Sequence, residues 1–280
     1  MQKGGLLEAT VVLFDFVWYH KRKGGDVLKH KEYKKIYEAA ETAILFIHGI
    51  VGTPNQFQMF LPLIPEGISV HNLLLDGHGM TPKEFSHTSM QRWEAQVRQA
   101  VDKLSHTHRK VCLVAHSMGT LLSVEQALLC KKINRLFLLA VPLKISIKPQ
   151  MIFNAHKVYM DKIQPDDREA LAARDSYGIG NDKNLLHYIG WIPRYLELFT
   201  KIRQTRKLLH RIDVPCRVYQ SARDEMVSIR SRKYLEQNPN ICVTTLENSG
   251  HYYYDEADRE FLLNEFKDWI CEILETASDG

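Results

Sequence analysis

The sequence of 280 residues lacks the features that define several common classes of protein. It contains no internal repeat, no low-complexity tract and no uninterrupted apolar run of about 20 residues, the length that a membrane-spanning helix needs. The 37 basic and 33 acidic residues leave a net charge of +4, which is too small an excess to indicate nucleic-acid binding. What remains is an ordinary globular composition, 45% apolar and 25% charged, in a chain long enough to bury a large core.

Cysteine is scarce and shows no pairing pattern. The five cysteines are odd in number and widely spaced: Cys112, Cys130, Cys216, Cys242 and Cys271. No C-x-x-C pair occurs, so neither a zinc site nor a redox motif is indicated. Four of the five lie in apolar runs, which predicts small buried side chains. The pattern favours a reducing, cytoplasmic setting.

The longest apolar stretch near the N-terminus, Leu6–Tyr19, is too short to span a membrane, and Glu8 and Asp15 interrupt it. A secretory signal would place basic residues before this stretch, whereas the cluster at 21–23 follows it. We therefore expect a structural segment docked on the domain. The alternative is a weak contact between this segment and a membrane surface.

Short apolar runs alternate with helical patterns from residue 43 onward. Six runs are typical of buried strands: Ala43–Ile47, Val70–Leu75, Val111–Ala115, Leu136–Val141, Cys216–Gln220 and Ile241–Leu246. Helical spacing of apolar residues lies between them and near the C-terminus, and Thr88 with Gln91 predicts a capping box at one helix start. This alternation predicts an α/β fold with a mainly parallel sheet flanked by helices.

The segment from 142 to 212 breaks the alternation because it contains helical patterns and no strand-like run. We expect a helical cap inserted between two strands, with extra scaffold helices as the alternative. The predicted organisation is an N-terminal extension with the first strands (1–42), a core (43–141 and 213–280) and the cap (142–212). Cap side chains that could contact a ligand are Met151, Phe153, Tyr159, Met160, Tyr188, Trp191, Tyr195 and Phe199.

A serine at a strand-to-helix junction is the sharpest local motif. Ala115-His116-Ser117-Met118-Gly119 follows an apolar strand directly and opens into a helical pattern. A serine at such a turn projects its hydroxyl at the carboxyl edge of the sheet. The partial positive charge of the helix start and the N–H of Met118 could stabilise an oxyanion there. The alternative is a buried serine that only caps the helix.

An acid and a histidine follow later strands in the order expected for a serine nucleophile in this architecture. Asp224 comes shortly after the fifth predicted strand, and His251 comes shortly after the sixth. The carboxyl ends of parallel strands lie at one edge of a sheet, so both side chains can reach Ser117. Asp255 is the alternative acid.

The glycine-containing loop His48–Gly52 comes straight after the first predicted strand. Its glycines allow the backbone to turn toward the serine, so the N–H of Ile50 could face the same oxyanion as that of Met118. The alternative is a pair of ordinary turn glycines, Gly49 and Gly52.

Taken together, these motifs resemble the α/β-hydrolase superfamily, in particular bacterial carboxylesterases and monoacylglycerol lipases. The resemblance covers roughly residues 43 to 274 and rests on H-G-I-V-G (48–52), D-G-H-G (76–79), A-H-S-M-G (115–119), Asp224 and S-G-H (249–251). It departs from the family in its long N-terminal extension and in Ala115, which stands where the family has glycine. The D-G-H-G loop is expected to be structural.

The resemblance implies a role for each site residue. Ser117 would be the nucleophile, His251 the base and Asp224 the acid. Ile50 and Met118 would supply the two N–H groups of the oxyanion hole.

The implied activity is hydrolysis of a small-molecule carboxylic ester through an acyl-enzyme, without cofactor, metal or nucleic acid. His106 and His108 have no evident third ligand, so they do not indicate a metal site. A thioesterase, amidase or peptidase would use the same three residues. A non-catalytic binding protein of the same fold is the remaining alternative. The oligomeric state is unknown from the sequence.

Overall fold

A seven-stranded sheet forms the centre of the structure, a computed structural model that describes residues 30–182 and 184–278. Its strands are β1 Tyr33–Lys35, β2 Thr42–Ile47, β3 Ser69–Leu73, β4 Lys110–His116, β5 Ile133–Leu139, β6 Cys216–Ser221 and β7 Ile241–Leu246. They lie in the order β1-β3-β2-β4-β5-β6-β7, with β1 antiparallel to β3 and every other pair parallel. The predicted α/β fold with a mainly parallel sheet is confirmed. The N-terminal stretch Leu6–Tyr19 lies outside the described residues.

Helices cover both faces of this sheet. They are α1 Pro82–Ser86, α2 Met90–Thr107, α3 Met118–Leu129, α4 Pro149–Tyr159, α5 Arg168–Ser176, α6 Trp191–Leu208, α7 Arg232–Leu235 and α8 Glu256–Ser278. One core cluster joins the sheet to α2 and α3, and a second joins its other face to α8. The helices α4, α5 and α6 form the expected helical insertion between β5 and β6. Within the described part of the chain, no helix is long and apolar enough to cross a membrane.

Strand β4 shows why the central runs are apolar at every position. Val111, Leu113 and Ala115 belong to the core cluster that contains α2 and α3. Cys112 and Val114 belong to the cluster on the α8 side. Because successive side chains of a strand point to opposite faces, a strand covered on both sides needs apolar residues throughout.

Two predicted strands are displaced in the structure. The one predicted over Val70–Leu75 is β3, which starts one residue earlier and ends two residues earlier. The one predicted over Leu136–Val141 is β5, which starts three residues earlier and ends two residues earlier. β5 includes the polar Arg135 because its guanidinium pairs with Glu272 of α8 at 2.8 Å. Ala140, with a φ of 52°, follows its last residue.

The capping box predicted at Thr88 and Gln91 is wrong, and the N-cap of the helix lies one residue later. Ser89 is the N-cap of α2, and its hydroxyl accepts the backbone N–H of Arg92 at 3.2 Å. The hydroxyl of Thr88 donates instead to the carboxylate of Asp76 at 2.7 Å. Thr88, which local spacing assigned to the helix N-cap, thus forms a hydrogen bond with a residue outside the helix instead.

The cysteines are less buried than the apolar runs predict. Cys112 and Cys216 are buried, Cys130 is half-buried, and Cys242 and Cys271 are exposed. The prediction that four are buried is therefore wrong. Cys242 lies on the edge strand β7 and Cys271 lies on α8, two elements that each bury one face only.

A buried lysine joins the insertion to the core helices. Lys201 of α6 is 5% exposed, and its ammonium contacts Glu94 of α2 at 2.7 Å and Glu125 of α3. Leu198 and Ile202, on the same side of α6, are buried in the core. The insertion is therefore fixed on the domain by one charge shared between two carboxylates and by apolar packing beside it.

Replacing this lysine tests that attachment. Lys201→Met leaves Glu94 and Glu125 without their shared counter-charge. We expect the free energy of unfolding to fall by about 2–3 kcal/mol, less than for a fully buried pair because both carboxylates are partly exposed. Urea denaturation measures this loss. Lys207→Met, an exposed change on the same helix, is the control and should stay within about 0.5 kcal/mol of the parent. Equal stability of the two variants would contradict the conclusion that Lys201 fixes the insertion on the core helices.

Candidate active site

Ser117 lies between β4 and α3 in a backbone conformation that residues with side chains rarely adopt, with φ 50° and ψ −123°. Its N–H donates to the carbonyl of Leu139 on the neighbouring strand at 2.9 Å. Gly119 allows the close approach of α3 to β2, because a Cβ at this position would lie 2.1 Å from the carbonyl oxygen of Ile47. The surrounding backbone thus holds the strained serine at the carboxyl edge of the sheet, where the sequence predicted it.

His251 and Asp224 form a buried pair. The Nδ1 of His251 donates to Oδ2 of Asp224 at 2.8 Å, and both side chains are 1% exposed. The other carboxylate oxygen accepts the backbone N–H groups of Met226 and Val227, each at 2.7 Å. Burial by itself raises the pKa of Asp224, but the facing imidazole and these donors bring it below its ordinary value. The carboxylate therefore stays ionised and keeps the proton of the neutral imidazole on Nδ1.

Glu225 is a site residue that sequence reasoning missed. Its Oε2 accepts the backbone N–H of His251 at 2.9 Å. A Cβ on Gly250 would lie 2.9 Å from the same oxygen, so glycine permits this approach. Burial lowers the pKa of His251, but the charge and hydrogen bond of Asp224 and the charge of Glu225 raise it above 6.5 overall. Adjacency to Asp224 was the only hint in the sequence, and it does not reveal a contact to backbone.

Ser117 adjoins the His251–Asp224 pair through His116. The rings of His116 and His251 lie 4.7 Å apart, and Nε2 of His116 donates to the backbone carbonyl of His251 at 2.9 Å. Burial lowers the pKa of His116 to about 3, so this ring is neutral. The Nε2 of His251 is buried and has no hydrogen-bond partner in residues 30–182 and 184–278, so no bond to Ser117 is formed. Contacts of this kind often close only when substrate binds.

Asp255, the alternative acid, is engaged elsewhere. Its carboxylate accepts the N–H of Ala257 at the start of α8 at 3.3 Å. Its own N–H donates to the hydroxyl of Ser249 at 3.2 Å. Among the described residues, the carboxylate bonded to the imidazole of His251 is that of Asp224.

His48 fixes the loop after β2. Its Nδ1 donates to the carbonyl of Gly49 at 2.9 Å, and its Nε2 accepts the N–H of Leu75 at 3.0 Å. Burial lowers the pKa of His48 well below its ordinary value, and a neutral ring is what both contacts require. A Cβ on Gly49 would lie 2.9 Å from the Cβ of Ser117, so the loop reaches the serine because this residue is glycine.

The residues predicted to form the oxyanion hole both stand beside Ser117 in the fold. Met118 is the first residue of α3, so its N–H has no acceptor within the helix. Ile50 follows Gly49 in a tight turn closed by a hydrogen bond from the N–H of Gly52 to the carbonyl of Gly49 at 3.1 Å.

The D-G-H-G loop supports His48, in keeping with the expected structural role. The ring of His78 lies 4.7 Å from that of His48 and packs on its other sides against Phe85 and Trp93. Burial lowers the pKa of His78 to about 4, so the ring is uncharged. His78 therefore packs between the buried aromatic side chains and the loop beside the serine.

A cap segment crosses the loop beside the serine. The N–H of Gly178 donates to the carbonyl of Val51 at 2.8 Å, and the carbonyl of Gly178 accepts the N–H of Gly79 at 2.5 Å. A Cβ on Gly178 would lie 2.2 Å from the carbonyl oxygen of Gly52, so this crossing needs glycine. Ser117, beside this loop, is 7% exposed.

The cap side chains proposed as ligand contacts divide into two groups. Four are exposed: Phe153, Tyr159, Met160 and Phe199. The other four are half-buried, namely Met151, Tyr188, Trp191 and Tyr195, and the last two pack against the core. Another aromatic side chain of the cap, which sequence reasoning left out, reaches the loop of His251: the ring of Tyr177 lies 5.6 Å from that of Tyr252.

Comparison with known proteins shows the family. A model of the alpha/beta hydrolase family matches residues 44–263, and the chain belongs to this family.

Three solved structures illustrate the likeness. One, from work on the metagenome-derived lipolytic enzymes LipS and LipT, is 18% identical with a TM-score of 0.66, over 87% of this chain and 98% of that one. A monoacylglycerol lipase from Paleococcus ferrophilus is 16% identical with a TM-score of 0.63, over 86% and 98%. A structure from work on carboxylesterases of the thaumarchaeon Nitrososphaera gargenis is 15% identical with a TM-score of 0.60, over 89% and 95%. At these identities the likeness shows a shared fold.

The pKa of His251 generates a testable pH dependence. A base must be neutral to accept a proton, so kcat/KM for an ester should rise with pH through a midpoint above 6.5. Glu225→Gln keeps an oxygen that can accept the N–H of His251 but removes one negative charge. We expect the midpoint to shift to lower pH, with the protein still folded, and a pH–rate profile measures it. An unchanged midpoint would show that Glu225 does not act on this imidazole.

Proposed function

We propose that the protein is a serine hydrolase that cleaves carboxylic esters through an acyl-enzyme. The observation that carries this proposal is the buried bond between His251 Nδ1 and Asp224 Oδ2. It leaves the second imidazole nitrogen unprotonated and without a partner among the described residues, at the edge of the sheet where Ser117 is held. A serine hydroxyl is a weak nucleophile alone, and an oriented neutral imidazole is the base that activates it.

In the first step, Nε2 of His251 accepts the proton of Ser117 as the serine oxygen attacks the ester carbonyl. The carbonyl oxygen gains negative charge and is stabilised by the N–H groups of Ile50 and Met118. One such donor typically contributes about 10²–10³ in rate. Asp224 keeps the proton on Nδ1 and stabilises the imidazolium that forms. The tetrahedral intermediate collapses when His251 gives its proton to the departing alcohol.

In the second step, His251 removes a proton from water, which attacks the acyl group on Ser117. The same two N–H groups hold the second oxyanion. Collapse of this intermediate breaks the acyl–serine bond, returns the proton to the serine oxygen and releases the carboxylic acid. Every proton transfer in the scheme uses a group of the chain itself.

An ester is the substrate class that the structural relatives favour, since those compared above come from work on lipolytic enzymes, a monoacylglycerol lipase and carboxylesterases. The same three side chains would also serve a thioester or an amide. A panel of p-nitrophenyl esters, monoacylglycerols, acyl-CoA thioesters and aminoacyl amides separates these classes. Faster turnover of a thioester or an amide than of every ester would redirect the assignment.

Removal of the nucleophile is the first test. Ser117→Ala should lower kcat for p-nitrophenyl butyrate by about 10⁶, because it removes the group that forms the acyl-enzyme. Ser123→Ala is a matched control on the same helix, since the hydroxyl of Ser123 donates to the backbone carbonyl of Gly119 at 3.0 Å. We expect near-parent turnover in the control. Near-parent turnover of Ser117→Ala would exclude Ser117 as the nucleophile, whereas absence of turnover by the parent would leave a binding function.

The choice between the two acids gives a second test. Asp224→Asn should lower kcat by about 10⁴, because an amide no longer holds the useful imidazole tautomer. Asp255→Asn retains an oxygen that can accept the N–H of Ala257 at the start of α8 and should leave kcat nearly unchanged. Steady-state assays on both variants decide the assignment. A large loss in Asp255→Asn with a small one in Asp224→Asn would reverse it.

A further inference from the structure

The outside of the cap is unusually apolar. Among the described residues, fifteen large hydrophobic side chains are exposed, and ten of them lie in the cap, which is about a quarter of the chain. The ten are Ile147, Ile152, Phe153, Tyr159, Met160, Leu186, Ile189, Ile192, Leu196 and Phe199. Scattered exposed apolar residues are normal on any protein, but such a concentration in one segment marks an interaction surface.

Four of the ten form a continuous stripe. Ile189 precedes α6 by two residues, and Ile192, Leu196 and Phe199 follow at spacings of three, four and three. Residues at these spacings lie on one face of a helix. Ile192 is 60% exposed and Leu196 is 59% exposed, so the face is open to solvent.

The same face becomes basic toward the end of the helix. Arg203 and Lys207 continue the spacing at four and four residues, and both are exposed. Neither forms an ion pair with any residue in the described ranges. We call the six residues Ile189, Ile192, Leu196, Phe199, Arg203 and Lys207 the α6 stripe.

No carboxylate opposes this charge on the stripe. The single acidic residue of α6 is Glu197, which accepts the guanidinium of Arg194 and the backbone N–H of Met90, each at 2.8 Å. The cap as a whole contains 13 basic and 7 acidic residues between Lys144 and Arg211, an excess of six positive charges. The rest of the chain is close to −2, since the total is +4.

We propose that the α6 stripe docks on an anionic lipid surface. An exposed apolar face with neighbouring basic residues is the pattern of a helix that lies in the plane of a membrane interface. Its apolar residues enter the acyl boundary while Arg203 and Lys207 meet acidic headgroups. A second copy of the chain fits the face less well, because two caps that each carry this excess positive charge repel one another.

Docking in this way needs no unfolding of the cap. The opposite side of α6 is already buried: Leu198 and Ile202 lie in the core, and Lys201 holds Glu94 and Glu125. The helix of 18 residues is about 27 Å long and lies with its stripe outward. Contact with lipid would therefore use a face of α6 that is already exposed to solvent in the structure.

Vesicle flotation of the full-length chain tests the proposal. The probes are vesicles of phosphatidylcholine alone and of phosphatidylcholine with phosphatidylglycerol, at low and high salt. We expect binding to the anionic vesicles that weakens as salt screens the charges. Absence of binding to the anionic vesicles would overturn the proposal.

Two double variants separate the apolar part from the charged part. Ile192→Ser with Leu196→Ser should lower the partition coefficient at least about tenfold, because two exposed aliphatic side chains no longer enter the lipid. Arg203→Gln with Lys207→Gln should lower binding to anionic vesicles about tenfold or more. The matched control is Phe261→Ser with Leu274→Ser, two exposed apolar residues of α8, which should bind as the parent does.

Folding and oligomeric state are checked in the same variants. All of the changed residues are exposed, so thermal unfolding and hydrolysis of a soluble short-chain ester should match the parent. Unchanged vesicle binding by Ile192→Ser/Leu196→Ser would overturn the proposal and assign binding to another segment, such as residues 1–29. A dimer in light scattering that this variant dissociates, without vesicle binding by the parent, would assign the stripe to self-association instead.

Discussion

The hydrogen bond between His251 and Asp224 is the interaction on which the chemistry of the site depends. It fixes the imidazole proton on Nδ1 and leaves the other nitrogen free to accept one. The carboxylate of Asp224 stays ionised although it is out of water, because the facing imidazole of His251 and two backbone N–H groups together bring its pKa below the ordinary value. Loss of either partner would leave a buried charge or a freely rotating ring, so the pair acts as one unit.

Close contacts between backbone segments supply the second constraint. Gly119, Gly49 and Gly178 each lie where an added Cβ would meet a neighbouring residue at 2.9 Å or less. The first brings the serine helix against β2, the second brings the loop after β2 against Ser117, and the third brings the cap across that loop. The strained serine, the two N–H groups and the cap segment that crosses the loop are therefore parts of one packed arrangement.

Much of the site could be predicted from sequence because Ser117, Asp224 and His251 each follow a strand of one parallel sheet. The carboxyl ends of such strands meet at one edge, so order along the chain implies proximity. Glu225 and His116 could not be predicted in the same way, because each acts on a backbone atom of His251 from a distant part of the chain. The displaced strand β5 and the misplaced helix cap likewise involve polar partners distant in the chain, Glu272 and Asp76. The exposed cysteines have another cause, since they lie on elements that bury one face only. Local sequence patterns indicate which faces of a helix or strand are apolar. Contacts with residues distant in the chain determine where polar side chains lie.

Reaction with a fluorophosphonate, followed by mass spectrometry of the digested protein, tests the central claim most directly. Such a reagent modifies a serine only when a neighbouring base activates it. If His251 and Asp224 activate Ser117, one label per chain should appear on the peptide that contains Ser117, and replacing His251 by alanine should abolish the reaction. A folded protein that takes no label, or takes it at another serine, would contradict the account.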